Sequence, residues 1–212
     1  MDFEEIYNLC KSYTITSYER MKCLYDAVAL VNEKNIEGDF VECGVFKGGS
    51  VMNMAYTQLN YKELRHIHLY DTFEGMTKPT NIDIAYDGLM ADDMLKRGSN
   101  LCICSIDTVT ENINQTKYPS NYVHYHKGDV LVTLSKEVPD KISILRLDTD
   151  WYESSRRELE VLYPLLTNGG ILIIDDYGHW KGAKEATDEY FKNIQVEPKF
   201  QEIDYTGVLH VK

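Results

Sequence analysis

Apolar positions along this chain follow two periods in turn. From Tyr18 onward Met21, Leu24, Tyr25, Val28 and Val31 recur at helical spacing, and Thr16 or Ser17 stands where an N-cap belongs. Short apolar runs and helical stretches then alternate. Strands are predicted at 38–45, 65–73, 122–130, 142–148 and 171–175. Helices are predicted at 46–59, 106–118, 154–166 and 182–193. Asn168, Gly169 and Gly170 read as a turn, and the tail 199–212 as two short strands joined at Thr206–Gly207. Residues 74–104 break the rhythm and read as a lid or substrate loop with a short helix near 89–97. Alternating strands and helices imply parallel βαβ units, hence a doubly wound, Rossmann-like α/β sheet whose closing hairpin makes one edge antiparallel. We expect one domain over 1–212, with a helical N-terminal segment at 1–36.

In such sheets ligands bind beyond the carboxyl ends of the strands. Glu42–Ser50, Asp71, Asp129, Asp148 and Asp175 all fall there. The turn Glu42-Cys-Gly44-Val-Phe-Lys-Gly48-Gly49-Ser50 lets a ligand approach backbone. Its glycine spacing differs from a dinucleotide fingerprint, so a smaller anion such as an amino-acid carboxylate fits better. Asp71 stands where ribose hydroxyls are held in related folds. Asp129 is placed to accept from an adenine amino group, with Val130 packing on the ring. Asp148, Asp175 and Asp176 end two adjacent strands. Three close carboxylates repel unless a hard divalent cation, Mg²⁺, Ca²⁺ or Mn²⁺, joins them. Asp150 reads instead as a cap for the helix starting at Tyr152, and His179 as a proton acceptor. Each residue also has a plain reading: a tight turn, a capping acid, a surface histidine.

Charge narrows the classes. With 22 basic and 34 acidic residues the net charge is −12, which opposes electrostatic binding of nucleic acid. No apolar run is long enough to span a bilayer, and the acidic start lacks a signal peptide's order. Five cysteines without a C-x-x-C pair point to a reducing, cytoplasmic setting.

Five stretches, "TITSYERM", "DFVECGVFKGGS", "YDTFEGM", "RLDTDWYESSRRELEVLYP" and "GGILIIDDYGHWKGAKEATDEYF", together resemble the macrocin O-methyltransferase family. The resemblance implies a class I methyltransferase fold with a mostly parallel seven-stranded sheet. It implies S-adenosylmethionine and Mg²⁺ as cofactors and a sugar hydroxyl as acceptor, in a homo-oligomer. Carried over, Glu42, Gly44, Gly48, Gly49 and Ser50 face the methionine part of the cofactor, Asp71 its ribose, and Asp129 and Val130 its adenine. Thr16 and Ser17 close over it. Asp148, Asp175 and Asp176 are the implied metal ligands, with Asp148 or His179 as the base. Competing readings are a catechol or vicinal-diol O-methyltransferase, a non-catalytic S-adenosylmethionine-binding protein and, more distantly, a nicotinamide oxidoreductase.

Overall fold

The computed structural model describes residues 1–98 and 102–212. In chain order its elements are α1 (Phe3–Cys10), α2 (Tyr18–Glu33), β1 (Asp39–Cys43), α3 (Gly49–Gln58), β2 (Ile67–Asp71), α4 (Ala91–Lys96), α5 (Ile106–Asn114), β3 (Val123–Lys127), α6 (Val130–Thr133), β4 (Ile142–Leu147), α7 (Tyr152–Leu162), β5 (Leu166–Ile174), α8 (Lys181–Asn193), β6 (Gln201–Glu202) and β7 (Val208–Val211). The strands form one seven-stranded sheet in the order β3-β2-β1-β4-β5-β7-β6. β3 through β5 run parallel, and β7 is antiparallel to β5 and β6. This is the Rossmann-like methyltransferase sheet with its antiparallel closing strand. The order reverses between β1 and β4, which opens a crevice at their carboxyl ends.

Period-two alternation divides the strands between two cores. Phe40, Ile144, Ile171 and Ile173 face the layer of α1, α2 and α3, where Met21, Leu24, Val28 and Met52 meet them. Val41, Cys43, Leu145, Leu147, Leu172 and Ile174 face α7 and α8 through Leu159, Leu162 and Phe191. Ser17 caps α2 by accepting from the Arg20 N–H, so the cap is Ser17 rather than Thr16. The turn expected at Asn168–Gly170 is instead the irregular start of β5. Leu166 pairs with Ile142, the register shifts before Ile144, and Gly169 takes a positive φ of 83°. Two glycines there absorb a bulge rather than reverse the chain. Among the described residues no helix is long and apolar enough to cross a membrane.

The segment after β2 is not loosely attached. A third, small apolar cluster sets Ala85, Ala91, Met76, Leu89 and Met94 against Trp151, Trp180 and Ala183. Asp83 is wholly buried. Its carboxylate accepts from Thr80 N (2.6 Å) and from Tyr152 N (2.8 Å) at the start of α7. Backbone bonds from Tyr86 N to His179 O and from Lys181 N to Ile84 O, 2.8 and 2.9 Å, pin it to α8. Residues 99–101 of the predicted loop lie outside the described residues.

Candidate active site

A cavity of about 330 Å³ opens at the carboxyl rim. Thr16, Glu42, Gly44, Ser50, Asp71, Val130, Asp148, Asp175, Asp176 and His179 all line it, together with Asp150 and Arg20. Ser17, Gly48, Gly49 and Asp129 do not.

Each of these four exceptions has a local cause. Ser17 faces α2, and its hydroxyl also donates to Asp204 at 2.6 Å. A Cβ at Gly48 would sit against Val109 and Ile113, and one at Gly49 would strike Tyr13 and Thr14. At both positions the missing side chain makes room for neighbouring chain. Asp129 is the N-cap of α6 and accepts from Leu131 N at 2.9 Å, which holds its carboxylate beside its own backbone. Asp71 does reach the cavity, yet Oδ2 accepts from Val45 N (2.6 Å) and Phe46 N (3.2 Å), and Oδ1 from Phe73 N (2.7 Å). It therefore fixes the glycine turn as well as presenting an acid beside it. Gly44, at φ 82°, packs so closely on the Asp148 carbonyl that a side chain there would overlap it.

Beneath the cavity floor lies a network that the sequence reading passed over. Arg146 is the fourth-strand arginine inside an otherwise apolar run, and its side chain is 3% exposed. It donates to Glu42 (2.7 Å), Asp148 (2.8 Å) and Asp175 (2.6 Å). Register explains the first contact: Glu42 and Arg146 stand opposite each other on paired strands. Arg20 of α2 completes the network by pairing with Asp175 and, at 2.9 Å, with Asp204. The available signal was a charge in a buried strand, which needs an opposite charge nearby.

Asp175 was expected in the metal set. It is 3% exposed and held between two guanidinium groups, so its carboxylate is already neutralised. β5 ends at Ile174, and in the bend that follows Asp175 is engaged by the arginines while Asp176 lies with Asp148 and Asp150. In its place stands Asp150, expected only as a cap. Its backbone adopts φ 69°, and α7 takes its N-cap from Trp151. Asp148, Asp150 and Asp176 each bring an oxygen within 4.8 Å of the other two. Burial, opposed by Arg146, pushes the Asp148 carboxyl well above the usual range. Burial and the nearby Asp150 and Asp175 do the same for Asp176. Burial raises Asp150 to about 7. Three carboxylate oxygens with neither nitrogen nor sulfur among them match a hard divalent cation.

A second vacancy in the bonding pattern points to another cation. Glu42 is 1% exposed, and its Oε2 has no hydrogen-bond partner. Burial, partly offset by Arg146, raises its carboxyl to about 7. Such an oxygen calls for a donor that the described residues do not supply. His179 is half-buried at the mouth, 3.4 Å from the Tyr205 hydroxyl through Nδ1. Burial lowers its pKa, so the ring is neutral at pH 7 and able to take a proton.

The chain matches the family described as Macrocin-O-methyltransferase (TylF) over residues 9–212. It is 30% identical over 198 residues to the 8-demethyl-8-(2,3-dimethoxy-alpha-L-rhamnosyl)-tetracenomycin-C 4'-O-methyltransferase of Streptomyces olivaceus, covering 93% of this chain and 74% of that protein. It is 29% identical over 200 residues to the demethyldecarbamoylnovobiocin O-methyltransferase of Streptomyces niveus, with the same coverage of 93% and 74%. Among solved structures it is similar to the O-methyltransferase NovP, at a TM-score of 0.81 and 28% identity over 94% of this chain and 82% of that one. A doubly wound sheet with its crevice at the strand-order reversal, and a family match over nearly the whole length, lead to one assignment: this chain belongs to the macrocin-O-methyltransferase family and is an O-methyltransferase.

Proposed function

We propose that this enzyme transfers a methyl group from S-adenosylmethionine to a sugar hydroxyl of a glycosylated small molecule, with Mg²⁺ at Asp148, Asp150 and Asp176. One observation carries the reading. Among the described residues, a single cavity holds a carboxylate trio without a lysine or arginine partner for Asp150 or Asp176, and Glu42 beside it has a buried oxygen without a partner. The sugar acceptor is supported by the Streptomyces olivaceus relative, whose name specifies a rhamnosyl group.

When bound, Mg²⁺ would lower the pKa of an acceptor hydroxyl, and S-adenosylmethionine would supply the methyl carbon. The residues of this chain do the rest. Glu42 Oε2 receives the cofactor's amino group, Asp71 faces its ribose and Val130 lies under its adenine. Thr16 and Arg20 cover the methionine end, where Arg20 is kept in place by Asp175 and Asp204. Asp148 and His179 are the candidate proton acceptors. Asp148 is oriented by Arg146, while His179 is neutral and held by Tyr205. Positioning the hydroxyl in line with the methyl group supplies much of the acceleration.

The test is a mass-spectrometric search for a gain of one methyl group across a panel of rhamnosides and other glycosides. Wild-type protein should methylate a member with Mg²⁺ present and stop in excess chelator. Equal turnover in chelator would overturn the metal assignment.

A further inference from the structure

Three aromatic side chains from three separate segments meet at the outer edge of the cavity. Tyr86 comes from the segment after β2, His179 from the β5–α8 loop and Tyr205 from the β6–β7 turn. Their rings lie edge to face, with centroids 5.3 Å apart for Tyr86–His179, 6.2 Å for His179–Tyr205 and 6.1 Å for Tyr86–Tyr205. His179 and Tyr205 line the cavity. Tyr86 is 65% exposed and Tyr205 69%, so the cluster keeps broad ring surface in water. It does not bury these rings as a core would. Its placement is fixed by backbone: Tyr86 N bonds His179 O at 2.8 Å, and Ala85 bridges to Trp180. Fixed, exposed aromatic surface beside a polar site is the composition of a ligand subsite.

Charge restricts what that ligand is. Among the residues lining the cavity Arg20 is the one Lys or Arg, and Asp175 and Asp204 already engage it. Glu42, Asp71, Asp148, Asp150, Asp175 and Asp176 line the same space. Apart from the metal ion proposed for the carboxylate trio, the described residues of this lining offer a diphosphate group carboxylates and no unengaged cation.

We propose that Tyr86, His179 and Tyr205 form the acceptor's ring subsite: they stack an uncharged ring attached to the reacting sugar, while the carboxylate trio takes the sugar's hydroxyls. This rests on the reading of the site as a sugar methyltransferase. The acceptor is then a finished glycoside, supplied by a glycosyl-transfer reaction that has already released its nucleotide diphosphate.

Calorimetric titration tests this with protein held in Mg²⁺ and S-adenosylhomocysteine, so that no turnover occurs. The probes are 4-nitrophenyl α-L-rhamnoside, methyl α-L-rhamnoside and thymidine diphosphate-rhamnose. The aryl rhamnoside should bind about tenfold or more tightly than the methyl rhamnoside, in keeping with one or two stacked rings at about 0.5–1.5 kcal/mol each. That preference should vanish in Y86A/Y205A. Both tyrosines are exposed, and S-adenosylhomocysteine affinity and thermal midpoint should not move. Equal binding of the two rhamnosides, a preference that survives in the double variant, or tightest binding of the diphosphate sugar would each overturn the subsite. So would no rhamnoside binding at all, and the S-adenosylhomocysteine and Mg²⁺ affinities measured alongside would still stand or fall separately as a test of the methyltransferase site.

Discussion

Two groups of acids share the rim of this sheet and meet opposite fates. Glu42, Asp175 and Asp204 are matched to Arg146 and Arg20. Asp150 and Asp176 have no arginine or lysine partner among the described residues, and Asp148 shares one guanidinium with the matched group. The first group finds its counter-charges inside the fold. The second is left to be neutralised by protons or by something that binds. A count of acidic residues cannot tell these apart; the position of each guanidinium does.

The difference can be attacked from its stabilised side first. Arg146→Leu should cost about 3–5 kcal/mol, because it strands buried carboxylates without their partner. Urea denaturation monitored by circular dichroism would measure it, and an unchanged midpoint would erase the distinction between the two groups. Next, Asp150→Asn and Asp176→Asn should each lower methyl transfer by about 10²-fold or more, as expected for loss of an electrostatic partner at a reacting oxygen. In chelator the same variants should melt at or above the wild-type temperature, since each removes like-charge repulsion, and their midpoints should no longer respond to Mg²⁺. Asp175→Asn should behave in the opposite way: less stable in chelator, yet still responsive to Mg²⁺. Arg20→Gln should cost a smaller amount, about 1–3 kcal/mol, by leaving Asp175 and Asp204 short of a donor. Its calorimetric affinity for S-adenosylmethionine should weaken as the α2 end loosens.

The smallest effect belongs to a third group of charges away from the rim. His66, His68, His124 and His126 form a ladder across β2 and β3, with ring nitrogens 2.7 Å apart in His66–His124 and 3.1 Å in His68–His126. Burial, with neighbouring imidazoles adding to it, lowers His124 and takes His126 down to about 4. Unfolded chain therefore binds these protons more readily than folded chain. Their contribution to stability is complete above about pH 6.5 and lost as pH falls towards 4. His126→Gln should flatten that part of the stability curve without altering the response to Mg²⁺, which separates acid sensitivity of the ladder from that of the rim.

What could be read in advance follows from which interactions are local. Apolar runs ending in Asp71, Asp148 and Asp175 mark parallel strands, because burial on both faces demands uninterrupted apolar sequence. The rim could be located that way before any coordinates. That Asp150, and not Asp175, comes close to both Asp148 and Asp176 could not, since it depends on a turn with positive φ and on an arginine from a different element. Asp129 misled for a similar reason: a strand-end aspartate is also an ideal cap, and α6 is only four residues long. The expected turn at Asn168–Gly170 failed because glycine marks bulges as well as reversals. Arg146 carries the legible signal of the buried network, the one charge within "ISILRL", paired in register with Glu42 of "DFVEC".

The close approach of Gly44 to the Asp148 carbonyl has a practical side for redesign. On the proposed reading it welds the donor half of the pocket to the half that grips the acceptor, main chain against main chain, with no side chain between them to lengthen or trim. The span the methyl group must cross is thereby set by the scaffold. Exchanging the segment that carries Tyr86 should retune which molecules are accepted without altering that reach.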